Sequence, residues 1–160
     1  MKEKILSLLA NNARITFGEI AERLYVSEKQ IEEAICEMEK QGIIRGYTVI
    51  LSDEAMKNSQ VRALIEVSIT PERDGGFDRV ARRISKFSEV TDVYLVSGNY
   101  DLRVEVKGES LQDVASFVHS KLATIEGVKS TATIFLLKKY KEAGKIMDGE
   151  ESYERLKITP

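Results

Sequence analysis

The chain holds one imidazole, His119, and one thiol, Cys36, and that scarcity narrows its chemistry. A metal site of several histidines within one chain is excluded, and a Cys/His nucleophile pair has almost no material. Cys36 forms no internal disulfide, which suits a reducing compartment. As a redox switch it competes with an exposed structural thiol, and His119 as a ligand or pH sensor competes with a solvated surface imidazole. What remains is recognition by backbone amides, hydroxyls, carboxylates and cations. Arg14 and Arg23 can hold phosphates or be ordinary solvated charges, while Ser27, Lys29, Gln30 and Arg45 can reach base edges or phosphates. In Gly98-Asn99-Tyr100-Asp101, Gly98 lets backbone amides approach a carboxylate and Asp101 can meet an ammonium. The alternative is a plain Gly98-Asn99 turn, with Asp101 paired to a nearby cation on the outer sheet face.

Composition bounds the partners. With 42% hydrophobic and 31% charged residues the chain reads as a soluble globular protein of one or two domains. No apolar run is long enough for a bilayer, and MKEKILSLLANNAR is no signal peptide, so the expected place is the cytoplasm with no membrane partner. A formal charge of −2 gives no overall basic signature, so any nucleic-acid surface must be local.

The elements that must position these residues fall into two patterns. Met1, Ile5, Leu8 and Leu9 share one face of a first helix that ends near Asn11-Asn12. Thr16-Phe17-Gly18-Glu19 has capping-box spacing and opens a second helix, with Phe17, Ile20, Ala21 and Leu24 inward. After a break at Leu24-Tyr25-Val26, Ser27-Glu28-Lys29-Gln30 is a second box, opening a third helix with Ile31, Ala34, Ile35 and Met38 inside. Gly42 is placed for a left-handed stop, with Ile43 folding back on Met38. Two capped helices separated by a short turn have the spacing of a helix-turn-helix, or of a helical hairpin with no DNA role. The β-branched and aromatic run Ile44 to Leu51 predicts a strand, as in the wing of winged domains.

Ser52 to Gln60 (52–60) lacks an apolar stripe and reads as a linker between a 1–51 domain and a second at 61–139. There, Val61, Ala63, Ile65, Val67 and Ile69 alternate as a strand closed by Pro71 and Asp74-Gly75-Gly76. Phe77, Val80, Ala81, Ile84 and Phe87 give a helical stripe. Val90 to Val96 is a second strand, Gly98-Asn99 a tight turn, and Tyr100, Leu102, Val104 and Val106 a third strand. Ser110 starts another helix with Leu111, Val114, Ala115, Val118 and Leu122 inward, and Val128 to Leu137 is the fourth strand. The order β-α-β-β-α-β predicts a ferredoxin-like domain, so the class is α+β, with both helices on one sheet face. From Tyr140 to Pro160 (140–160) the charged tail is either disordered or draped on a neighbouring subunit, with Tyr153 and Leu156 as anchors.

In this order, Gly42-Ile43-Ile44-Arg45-Gly46-Tyr47, Gly98-Asn99-Tyr100-Asp101, and Gly127-Val128 followed by Thr131-Ala132-Thr133 resemble the Lrp/AsnC family over nearly the whole chain. The resemblance implies a winged helix-turn-helix for DNA and a regulatory domain. Homodimers would form by sheet-to-sheet contact and assemble to octamers, with an amino acid or related metabolite as effector and no other cofactor. It places the effector near Gly98, Asn99, Tyr100, Asp101, Thr131 and Thr133. The family commonly carries arginine where Glu33 and Ala34 stand, and here Glu32, Glu33, Glu37 and Glu39 make the expected reading helix partly acidic. Two other functions compete. A metabolite-binding oligomeric sensor would present that helix to a protein. A sirohaem-decarboxylase-like enzyme would share the two-domain plan, but Val96 to Leu102 lacks the histidine and arginine of such an acid–base site, so no catalysis is expected.

Overall fold

Thr16 and Ser27 set the starts of two helices in the first fifty residues. α1 (Lys2–Asn11) precedes α2 (Phe17–Leu24) and α3 (Glu28–Lys40). The Thr16 backbone N–H and hydroxyl donate to Glu19 Oε2, both at 2.9 Å, and the Glu19 amide donates back to Thr16 Oγ1 at 3.2 Å. Ser27 and Gln30 repeat the pattern at α3. Both boxes thus form as their spacing predicts, each worth about 1 kcal/mol through its hydroxyl. Ile5, Ile20, Ala21, Ile31, Ala34, Ile35 and Met38 close one apolar core, joined by Ile15. Met1 and Phe17 are exposed instead of inward, because Met1 lies outside α1 and Phe17 is the first residue of α2, before the helix has a complete turn to direct it.

α2 and α3 stop by one device. At α3, the Ile43 amide donates to Met38 O and the Gly42 amide to Glu39 O, with Gly42 at φ 67°. At α2, Val26 donates to Ala21 O and Tyr25 to Glu22 O, with Tyr25 at φ 56°. Both are Schellman stops. Ile44, rather than Ile43, packs on the core after α3; Ile43 points out. The run after it forms no strand: residues 45–50 make no ladder, and Tyr47, Val49, Ile50 and Leu51 stay exposed. β propensity expresses packing on a neighbouring strand, and this unit supplies none among the described residues.

The computed structural model describes residues 1–52, 60–70 and 76–147. It has two compact units, Met1–Ile50 and Leu51–Pro160. Pro71, Asp74, Gly75, most of the linker, Tyr153 and Leu156 lie outside the described residues.

In the second unit β1 (Val61–Ile69), α4 (Gly76–Ile84), β2 (Val90–Leu95), β3 (Leu102–Gly108), α5 (Leu111–Phe117) and β4 (Val128–Phe135) follow in the expected order. The sheet runs β2-β3-β1-β4, every pair antiparallel. Ala63, Ile65, Val67 and Ile69 of β1 and Leu102, Val104 and Val106 of β3 face Val80, Ile84, Val114 and Phe117 of the helices. α5 runs into a π turn, Val118–Leu122, whose extra residue rotates the stripe. Val114 and Phe117, three apart on α5, take the inner positions ahead of the π turn, and Leu122 and Ile125 take them from its end onward; Leu111 and Ala115 are exposed, and Phe117 meets Phe87 edge-on with ring centroids 5.5 Å apart.

β4 ends at Phe135, short of Leu137, after a last bond from the Leu136 amide to Arg62 O of β1 at 2.9 Å. Part of the charged tail is ordered, as β5 (Lys141–Glu142) and β6 (Lys145–Ile146), turned by Ala143 and Gly144 at positive φ. Glu142 holds this hairpin to the sheet through Arg62 at 3.7 Å and to Lys139.

Candidate nucleic-acid interface and effector loop

α3 presents Lys29, Glu33, Cys36, Glu37 and Lys40 outward, opposite its buried stripe. Its acids are partly held within the unit. Glu37 pairs with Lys2 at 3.1 Å and accepts from Gln41, Glu33 lies 3.9 Å from Lys29, and Glu39 accepts the Tyr47 hydroxyl at 2.9 Å. Burial and that neighbouring carboxylate push the Tyr47 phenol above its usual pKa. Exposed pairs of this kind contribute little to stability, yet they offset the negative potential of the face.

The expected contacts do not form one cluster. Ser27, Lys29 and Gln30 lie together at the start of α3, but Ser27 and the Gln30 carbonyl are turned onto each other by the capping box. Arg14 is exposed beside the start of α2 and Arg23 in its last turn. Arg45 sits at the opposite end of α3, its guanidinium beside Gly42. Fourteen residues from Ser27 to Gln41 at helical rise set these ends about 21 Å apart. Tyr25, in the turn between the two helices, was not among the expected residues, and it is 94% exposed. A tyrosine where the stop favours glycine was the available signal.

In the second unit, Asp101 has a structural task. Its carboxylate accepts the Ile69 amide at 2.7 Å, and its own amide donates to Val67 O at 3.0 Å. No cation pairs with it among the described residues, which corrects the outer-face ion pair. These bonds also replace the two-residue Gly98-Asn99 turn by a longer loop, closed by Val96 donating to Asp101 O, with β3 starting at Leu102 rather than Tyr100. Gly98 and Asn99 are exposed, Tyr100 half-buried. Gly98 has ordinary φ and open space around its missing Cβ, so its own fold does not demand glycine. Thr131 pairs with Val67 and Thr133 with Ile65, so both threonines share the helix-side face at the open edge of the sheet. Asp101 and Thr131 thus flank the same end of β1.

Within this unit, no helix among the described residues covers the opposite sheet face. Arg62 and Arg103 converge on Glu105, at 3.9 and 2.7 Å, and the Arg103 guanidinium lies 5.9 Å from the Tyr94 ring centroid. Beside them Ile134 and Leu136 are exposed. Cys36 and His119 are both exposed, and no group of metal-ligating side chains occurs among the described residues. No helix there is long and apolar enough to cross a membrane.

A capped helix-turn-helix followed by a β2-β3-β1-β4 sheet with helices on one face defines a two-domain regulator with a ferredoxin-like second domain. Residues 1–45 match the family model for a winged helix-turn-helix DNA-binding domain, and residues 62–146 match the Lrp/AsnC ligand binding domain. The HTH-type transcriptional regulator YugG of Bacillus subtilis is 39% identical over 98% of this chain and 95% of its own length. Among solved structures, the transcriptional regulator NMB0573/L-Met complex of Neisseria meningitidis is 28% identical with TM-score 0.68, covering 88% of this chain and 90% of that one. AsnC of E. coli is 25% identical with TM-score 0.65, covering 88% and 93%. The chain belongs to the Lrp/AsnC family and is a DNA-binding transcription regulator of that type.

Proposed function

We propose that the chain regulates transcription by sequence-specific DNA binding that responds to an amino acid or a closely related metabolite, acting in the cytoplasm by binding and not by catalysis. The observation that carries this reading is the pair of capped helices joined by a left-handed turn, in one chain with a Lrp/AsnC-type ligand-binding sheet. Residues 1–51 would meet DNA, 52–60 link, 61–139 bind effector and oligomerise, and 140–160 form the tail. Arg14, Arg23 and Lys29 supply phosphate attraction, Ser27 and Gln30 border the groove, and Arg45 reaches a separate stretch of backbone.

The effector class is supported by the N. meningitidis relative, solved as an L-Met complex. The loop from Gly98 to Tyr100 offers amides to a carboxylate, and the second oxygen of Asp101 remains for an ammonium. Thr131 and Thr133 add hydroxyls at the sheet edge. A homodimer through the uncovered sheet face, with Ile134, Leu136 and Tyr94 in the contact, would give the building block of an octamer.

A gel shift with the DNA upstream of its own gene tests the reading. We expect a complex at least about a thousand-fold tighter than with random DNA at physiological salt, altered by one of the amino acids that raises the melting temperature in a thermal-shift screen. Equal affinity for both DNAs, with and without amino acids, would sink it. The acidic outer face of α3 favours one second reading, a sensor that meets a protein. Strong DNA binding created by Glu33→Arg with Glu37→Arg, from a negligible start, would support that second reading.

A further inference from the structure

α2 and α3 end in the same hydrogen-bonded stop, with an amide pair running back to the last turn and one left-handed residue. At α3 that residue is Gly42, which adopts φ 67° with no side chain to clash. At α2 it is Tyr25, at φ 56° and ψ 45°. A left-handed tyrosine is unfavourable relative to glycine, because its Cβ crowds the following carbonyl. Nothing among the described residues offsets this. The side chain is 94% exposed, and neither its ring nor its hydroxyl has a partner among the described residues. Val26, the next residue, supplies the apolar contact of the stop and packs on the core. The fold therefore needs position 25 to be left-handed and does not need it to be tyrosine.

Its location supplies a use. Ser27, which opens α3, is two residues on, a span of at most about 7 Å. The start of the second helix is the part of a helix-turn-helix that enters the major groove, so a side chain projecting from this turn meets the groove edge, where the sugar–phosphate backbone runs. Residues 1–50 hold seven Lys and Arg against eight Glu, so cations alone give this unit little hold on DNA. We propose that Tyr25 is a DNA contact, its hydroxyl donating to a phosphate oxygen at the groove edge and fixing the register of α3. This rests on the DNA-binding reading above and adds an uncharged contact to it.

Fluorescence anisotropy of the full chain on the upstream duplex, over a salt series, tests the contact. Tyr25→Gly and Tyr25→Asn both suit a left-handed backbone, and Tyr25→Phe keeps the ring. We expect each to weaken binding about tenfold, the loss of one hydrogen bond to a charged group. The log–log salt slope should stay unchanged, because no charge is removed, whereas Arg14→Ala should lower it by about one. The melting temperature of Tyr25→Gly should equal or exceed that of the wild type, which a merely structural tyrosine would not allow. Wild-type affinity in Tyr25→Phe, or a loss in Tyr25→Gly that tracks a fall in melting temperature, overturns the proposal while leaving DNA binding intact. A wild-type chain that does not distinguish the upstream duplex from random DNA overturns the DNA-binding reading first, and this contact with it.

Discussion

The two units solve the same problem at different ranges. In the first, the decisive bonds join residues three apart: Thr16 to Glu19, Ser27 to Gln30, Glu39 to Gly42. In the second they join residues far apart, as Asp101 to Ile69 and Lys121 to Glu89, each 32 positions distant. The difference teaches where a residue's duty can be shared. Ser27 and Gln30 carry a helix start and, under the proposed function, would also border the groove; Asp101 carries a strand bond and would also meet the effector.

That contrast can be broken by measuring what each range is worth. Ile65→Ala removes a fully buried side chain from the central strand and should destabilise the sheet by about 3 kcal/mol in denaturant unfolding. Asp101→Ala should follow at about 2 kcal/mol, because it leaves the Ile69 amide unpaired, while Asp101→Asn retains an acceptor and most of the stability. Ser27→Ala should cost about 1 kcal/mol, read from the helical signal of the first unit. A cost for Ser27→Ala equal to that of Ile65→Ala would erase the distinction between short-range and long-range control.

The smallest effect separates the two capping boxes. Bonds from the Thr16 amide and hydroxyl hold the Glu19 carboxyl below its ordinary pKa. A depressed carboxyl stabilises the fold at neutral pH, and that contribution is lost as pH falls through the carboxylate range. The α3 box is closed by Gln30, which does not titrate. Acid should therefore loosen the start of α2 before that of α3, seen in amide protection factors, and Glu19→Gln should abolish the difference.

The same contrast explains what could be read in the sequence. Both boxes and the Gly42 stop were legible because their signals are complete within four or five residues. So was the β-α-β-β-α-β order, from alternation and helical stripes. That no strand forms from Ile44 to Leu51 was not, since its residues state a preference that only a neighbour can satisfy. Nor was the bond from Asp101 to Ile69, which needs two strands side by side before it exists. Phe117 was missed because Ala115 and Val118 complete an equally regular stripe with Val114, and the 141–146 hairpin because its four strand residues are too few to show alternation. Of the candidate site, the loop and threonines could be proposed from the sequence, whereas the placement of Asp101 and Thr131 on either side of the same end of β1 could not.

The strand order also carries a consequence for synthesis. β1 lies between β3 and β4, so it leaves the ribosome with both hydrogen-bonding edges open until residues 102–108 and 128–135 follow. At about 5 to 20 residues per second, the wait for β4 lasts roughly 3 to 13 s. Until β3 follows, Ala63, Ile65, Val67 and Ile69 are an unpaired apolar row of the kind that recruits other chains, and from then until β4 follows one edge of β1 stays open. Arg62 and Glu66, alternating with them on the opposite face, keep the nascent strand charged while it waits.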